Sequence, residues 1–219
     1  MKLDESLTSV LRSRAKKCID LSSGHLKKGE FFLGGSAIAT NLISDIDIYP
    51  AGSAIFHIPD SAPVLYSSKN ATTISNKPPL QYCKYKHDTL DELIESFDFA
   101  HVQAGAYIVD GQVSKVAWTN NFVVANAIRS SEFTGSAYPL SSAIRLLKYN
   151  NREELTRNSS IRAMLDILCA IVKRGFKDYE DFKDQLDAVD LGLTPDDLDE
   201  VSKAKLMDLF EALKKGLDD

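Results

Sequence analysis

The chain has 219 residues, 44% hydrophobic and 26% charged, a composition ordinary for a soluble globular protein with one large core or two small ones. Its formal charge of −5 is uneven: Asp178–Asp219 holds 14 acids and 5 bases, which leaves residues 1–177 at +4, a balance that suits an anionic ligand but is too small for tight duplex binding. The absence of an apolar run at Met1–Glu5 or of any membrane-length window, with three scattered cysteines (Cys18, Cys83, Cys169), argues against a signal peptide, a membrane span and a disulfide framework, and the expectation is a cytoplasmic protein with no membrane partner.

Residues 3–27 read as a helix, with Leu3, Leu7, Val10 and Leu11 at helical spacing and Arg12, Arg14, Lys16 and Lys17 on a solvated face. Phe31-Phe32-Leu33 then reads as a strand that enters a turn at Gly34-Gly35. Ser36–Ile43 reads as a short helix and Ser44–Tyr49 as a second strand. Alternation along that strand puts Asp45 and Asp47 on one face and Ile46 and Ile48 on the other. Two carboxylates side by side repel, and a divalent cation offsets the repulsion. Hard oxygen donors suit magnesium, which keeps several waters and takes substrate phosphates as further ligands. Gly34 and Gly35 lack a Cβ, so a phosphate can approach the backbone, and the following helix start aims N–H groups at it. Ser36 either caps that helix or donates its hydroxyl to the phosphate.

Pro50, Gly52, Pro59 and Pro63 mark a loop, in which His57 reads as structural. Val64–Ser68, Thr72–Ser75 and Leu80–Lys86 read as strands, with Lys84 and Lys86 either on a solvated face or reaching substrate phosphates. A short helix follows over Thr89–Glu95, with Asp88 or Thr89 as its cap and Glu92 in the first turn. Asp98, between Phe97 and Phe99, reads as a strand residue with one buried face and is the candidate third carboxylate. His101 and Gln103 fall on the opposite face of that strand, off the metal site. Asp110-Gly111 between apolar runs predicts a hairpin that returns Val113–Trp118 onto the Asp98 strand.

From residue 122 the pattern is helical: Phe122–Ile128, Leu140–Tyr149 after Pro139, an apolar stripe from Ile161 to Val172, then Asp178–Val189. Thr194-Pro195 starts a last helix that presents Leu206, Leu209, Phe210, Leu213 and Leu217 to the bundle. Arg145 and Lys148, three apart, share a face of their helix.

Gly34-Gly35, nine residues, the Asp45-Ile46-Asp47-Ile48 strand and the later Asp98 segment together resemble the nucleotidyltransferase superfamily typified by DNA polymerase β, over roughly the first 110 residues. Asn70–Ile74, Leu80-Gln81-Tyr82 and Phe97-Asp98-Phe99 also resemble phage-encoded, stand-alone members, which would place the protein in a host cytoplasm. The resemblance implies an α+β chain: a nucleotidyltransferase-fold mixed β-sheet flanked by helices at 1–135, then a C-terminal helical domain at 136–219. It implies transfer of a nucleoside monophosphate from an NTP, ATP favoured, to an acceptor hydroxyl, RNA or tRNA favoured, with release of pyrophosphate. Asp45, Asp47 and Asp98 would be the catalytic acids and the ligands of two magnesium ions, with manganese as the alternative. Gly34, Gly35 and Ser36 would hold the nucleotide phosphates, and the Arg145-Leu146-Leu147-Lys148-Tyr149 helix would bring Arg145 and Lys148 to the terminal ones. Two alternatives stand beside this reading: a silent nucleotide- or protein-binding module of the same fold, and a toxin that nucleotidylates a host target.

Overall fold

The structure is a computed structural model that describes residues 3–41, 43–54, 56, 58, 61–150, 161–187, 204, 205, 207–212 and 215. His57 and the helix start at Thr194-Pro195 lie outside the described residues. The chain divides into two compact units, Met1–Ser130 and Ser131–Asp219.

The first unit is a mixed sheet with helices on its faces. Helix α1 (Leu3–Leu21) buries Leu11, Ala15, Cys18 and Ile19, one stripe of an amphipathic helix. It ends at Leu21, short of the expected residue 27, where Ser23 and Gly24 both take positive φ. Strand β1 (Glu30–Gly34) leads into the four-residue helix α2 (Ser36–Ala39), and strand β2 (Ile46–Pro50) follows. Strands β3 (Val64–Ser67), β4 (Ala71–Ile74) and β5 (Leu80–Cys83) precede helix α3 (Leu90–Glu95), and strands β6 (Ala104–Val109) and β7 (Gln112–Trp118) precede helix α4 (Asn120–Ala127). The sheet order is β3-β4-β5-β2-β1-β6-β7. β2 and β5 run parallel, and every other neighbouring pair is antiparallel.

Register fixes the two faces. Phe32, Gly34, Asp47, Tyr49, Gln81 and Tyr107 share one, and Phe31, Leu33, Ile48, Tyr82 and Ile108 the other. On the first face, Leu90, Leu93 and Ile94 of α3 pack with Phe32 and Ala117, with Tyr49 and Tyr107 against them, so α3 sits mainly on β1, β6 and β7. Each of these large side chains contributes about 1.5–3 kcal/mol by leaving water. Thr89 and Glu92 close a capping box that starts α3 where its sequence predicts. The β6–β7 hairpin turns at Asp110 (φ 47°) and Gly111 (φ 73°), as its Asp-Gly pair requires.

The structure corrects the elements that bear on the site: α2 ends at Ala39 rather than residue 43, and β2 begins at Ile46, which leaves Asp45 off the strand. Asp98 is not on a strand. It sits in a bend after α3, and Ala100–Val102 forms a single 3₁₀ turn before β6 begins at Ala104. The 3₁₀ turn breaks the alternation, so Asp98, Ala100 and Val102 do not share a strand face, and Val113–Trp118 pairs with β6 instead.

The second unit is helical. Helices α5 (Pro139–Asn150), α6 (Ile161–Arg174) and α7 (Tyr179–Asp187) pack around Leu146, Ile167 and Phe182. Arg174 donates to both carboxylate oxygens of Asp181 at 2.6 Å and to the carbonyl of Ala137 at 3.0 Å. Phe176, Tyr179, Phe182 and Phe210 form an aromatic cluster with centroid distances of 5.2–6.5 Å.

Candidate active site

The candidate site lies where β1 ends beside β2. Gly34 pairs with Asp47 across the strands, and Gly35 leaves β1 at φ 70°, ψ −150°, a region that only glycine occupies without strain. A Cβ built on Gly35 would stand 3.3 Å from Oδ2 of Asp47, so the turn and the acid are in contact. Gly34 is glycine for a different reason. Its Cβ would lie 2.5 Å from the Phe97 ring, which rests on the end of β1. The sequence pairs the two glycines as one turn, whereas the structure gives the first to packing and the second to backbone conformation.

Asp47 is half-buried, with Oδ1 screened from solvent. Its charge reaches the buried Cys18 thiol, which burial, with Asp47 adding to it and Lys17 opposing, pushes up to about 12. Asp45 precedes β2 rather than lying within it, also half-buried, and accepts a hydrogen bond from Ser44 Oγ at 2.6 Å. Ser36 is the first residue of α2. Gly35 occupies the cap position and no side chain caps the helix, which leaves its first N–H groups without an intrahelical acceptor.

Asp98 is 5% exposed, and the 3₁₀ turn that follows it packs against α2 and α4. On the other side of Asp47, the directly opposed residue of β5 is Gln81, not an acid. Among the described residues, no group of three or more His, Cys, Asp or Glu is placed to hold a metal ion. The hard donors at this end of β2 are Asp47 and, two residues earlier and just outside the strand, Asp45, a set that fits a magnesium ion that takes one or two carboxylates and fills its remaining positions with water and phosphate. Arg145 and Lys148 lie about one turn apart on α5 in the second unit, both half-buried.

Several supporting residues carry no sequence signal of their own. Arg14 of α1 reaches α2, where Nη1 donates to the carbonyls of Ile38 (3.1 Å) and Ala39 (2.7 Å), and Nε and Nη2 fork onto Oδ1 of Asn41 (3.2 and 3.0 Å). Burial lowers its pKa from the usual arginine value. Gln103, 4% exposed, donates to the carbonyl of Phe97 at 3.1 Å and accepts from Thr119 at 2.9 Å, and so braces the segment that covers Gly34. Tyr49 meets Phe97 at 5.9 Å and His87 at 6.3 Å, forming an aromatic wall on the same face as Asp47. Lys84 donates to the Ser68 carbonyl. A basic residue on a helix or a glutamine on a strand reads as solvated in sequence, and only the fold reveals what each one holds.

No protein-family model matches the chain, and no curated protein matches it. Solved structures do. A CCA-adding enzyme in complex with CTP matches at TM-score 0.52 and 10% identity, over 94% of this chain and 55% of that one. A tRNA nucleotidyltransferase complexed with a primer tRNA and an incoming ATP analog matches at 0.47 and 10%, over 91% and 60%. The Thermotoga maritima CCA-adding enzyme complexed with tRNA matches at 0.45 and 9%, over 93% and 50%. The chain thus spans about half to three-fifths of the length of these structures. Its mixed seven-stranded sheet, flanking helices and C-terminal helical region are the α+β nucleotidyltransferase fold.

Proposed function

We propose that the protein transfers a nucleoside monophosphate from an NTP, ATP favoured, to an acceptor hydroxyl, RNA or tRNA favoured, with pyrophosphate leaving. The observation that carries this reading is the contact between the Gly35 turn and the Asp47 carboxylate, which brings a backbone turn without a Cβ beside an acid that would bind a metal. Asp45 and Asp47 would hold magnesium, and Asp98, which precedes the 3₁₀ turn packed on α2, is assigned the third acidic position. When bound, the metal would neutralise charge on the phosphates and activate the acceptor oxygen. Gly34, Gly35 and Ser36 would orient the phosphates through the backbone.

A second reading, a nucleotide-binding module that does not transfer, draws support from Gln81 standing opposite Asp47 where a further acid would strengthen a metal site. One experiment separates the two. The full chain is incubated with magnesium, each labelled NTP in turn and total RNA, beside Asp45→Ala/Asp47→Ala and Asp98→Asn. Label on RNA that the double variant abolishes supports transfer. Magnesium-dependent nucleotide binding without label on any acceptor supports the module. No nucleotide binding at all sinks the site.

A further inference from the structure

The face of the sheet that carries Asp47 has two unlike halves. Over β1, β6 and β7 it packs under α3. Over β5, β4 and β3, no helix among the described residues makes more than marginal contact. There Gln81 stands opposite Asp47, Thr73 opposite Gln81 and Tyr66 opposite Thr73, all of them half-buried. Strands about 4.8 Å apart make this a row of about 14 Å, running from Asp47 straight to the sheet edge. Gln81 Nε2 donates to Thr73 Oγ1 at 3.4 Å within it. The other face of the same strands is apolar, with Leu80 and Ile74 fully buried. A sheet with one apolar and one polar face turns the polar one to water or to a polar ligand.

Charge decides which ligand. Residues 61–87, which build β3, β4 and β5, carry Lys69, Lys77, Lys84 and Lys86 and no acid, a formal +4 with His87 neutral. All four lysines are exposed. Lys69 lies in the β3–β4 turn. The Lys84 backbone N–H donates to the Asn70 carbonyl of that turn at 2.8 Å, and its Nζ donates to the Ser68 carbonyl, so Lys69 and Lys84 gather at one end of the three strands. Tyr85, 39% exposed, stands between Lys84 and Lys86 in the chain. Cations interleaved with accessible rings suit a single nucleic-acid strand, whose phosphates pair with the cations and whose bases stack on the rings. A second copy added edge to edge at β3 would set +4 against +4, and the irregular register between Val64 and Tyr66 interrupts that edge.

Resting on the transfer reading for the identity of the polymer, we propose that the β3-β4-β5 extension seats the acceptor. A single-stranded RNA end lies on it with its phosphates against Lys69, Lys84 and Lys86, its bases on Tyr66 and Tyr85, and its terminal hydroxyl toward Asp47.

The test is fluorescence anisotropy of the full chain with a labelled single-stranded RNA of about ten nucleotides, without NTP, across a salt series. Saturable binding that weakens with salt is expected, and it persists in Asp45→Ala/Asp47→Ala. Lys69→Ala/Lys86→Ala weakens it severalfold and lowers the slope of log affinity against log salt by about 1.4, the loss of two phosphate contacts. Tyr85→Ala weakens it about tenfold, the value of one stacked base. Both lysines are exposed, so their replacement reads contact and not folding. The proposal is overturned by the absence of saturable binding at low salt, by duplex RNA that binds as tightly, or by an affinity and slope that the lysine pair leaves unchanged. A sedimenting dimer that Leu65→Lys dissociates, with RNA affinity indifferent to the lysine pair, assigns the edge to a second copy and also overturns it. RNA bound in the expected way but never labelled refutes transfer and leaves this surface standing. Transfer that the lysine pair does not impair refutes this surface and leaves transfer standing.

Discussion

Gly35 and Asp47 constrain each other: a Cβ on Gly35 would stand 3.3 Å from Oδ2 of Asp47, at a backbone φ of 70°. Gly35→Ala therefore meets strain and a carboxylate together and should cost about 1–3 kcal/mol of stability. Gly34→Ala should cost a similar ~1–3 kcal/mol through overpacking against Phe97. The two glycines separate on rescue. Phe97→Leu, which shortens the ring lying on Gly34, should recover part of the Gly34→Ala loss and none of the Gly35→Ala loss. Thermal or denaturant unfolding of the four variants reads this directly, and equal rescue at both positions would refute the distinction.

Arg14 ties the end of α2 to α1 through four hydrogen bonds. Arg14→Ala leaves the Ile38 and Ala39 carbonyls without this donor and should cost about 2–3 kcal/mol. Arg14→Lys should recover little, because a single ammonium cannot reproduce the guanidinium fork. If α2 orients nucleotide, both variants weaken magnesium-nucleotide binding at temperatures where they remain folded. Calorimetric titration at 10 °C below each variant's midpoint measures this.

The Arg174–Asp181 pair predicts an acid limit for the helical unit. Hydrogen bonds from Arg174 hold the Asp181 carboxyl below its ordinary 3.8, with burial opposing. The folded value is depressed, so the stabilisation is complete above the unfolded value near 3.8 and is lost as pH falls through the folded one. Asp181→Asn should cost about 1–3 kcal/mol at pH 7 and flatten the pH dependence below 4. The single tryptophan, Trp118, lies in the first unit, so a far-UV transition that shifts with acid ahead of the Trp118 signal would identify the unit affected.

Thiol chemistry gives a clean readout of the fold. Cys169 is exposed, while Cys18 and Cys83 are buried, and the Cys18 thiol is pushed up to about 12. Reaction with a disulfide reagent at pH 8 should show one fast thiol per chain, abolished by Cys169→Ser, and two that react only as the chain unfolds. Two or more fast thiols in the native protein would contradict this packing.

The sequence by itself determined what depends on local rules. The break at Gly35, the Ile46-Asp47-Ile48 alternation, the Thr89 cap and the Asp110-Gly111 turn each follow from neighbouring residues and appear where expected. What only the tertiary structure decided depends on residues far apart in the chain. Phe97 makes Gly34 obligatory from 63 positions away, Arg14 holds α2 from 25 positions away in the middle of α1, and Gln81 stands opposite Asp47 only because β5 inserts parallel to β2. Asp98 marks the boundary between the two. Its aromatic neighbours read as a strand, yet a 3₁₀ turn forms there, because Gln103 and Thr119 tie the chain back on itself before β6 begins, and no local pattern encodes a hydrogen bond across sixteen residues.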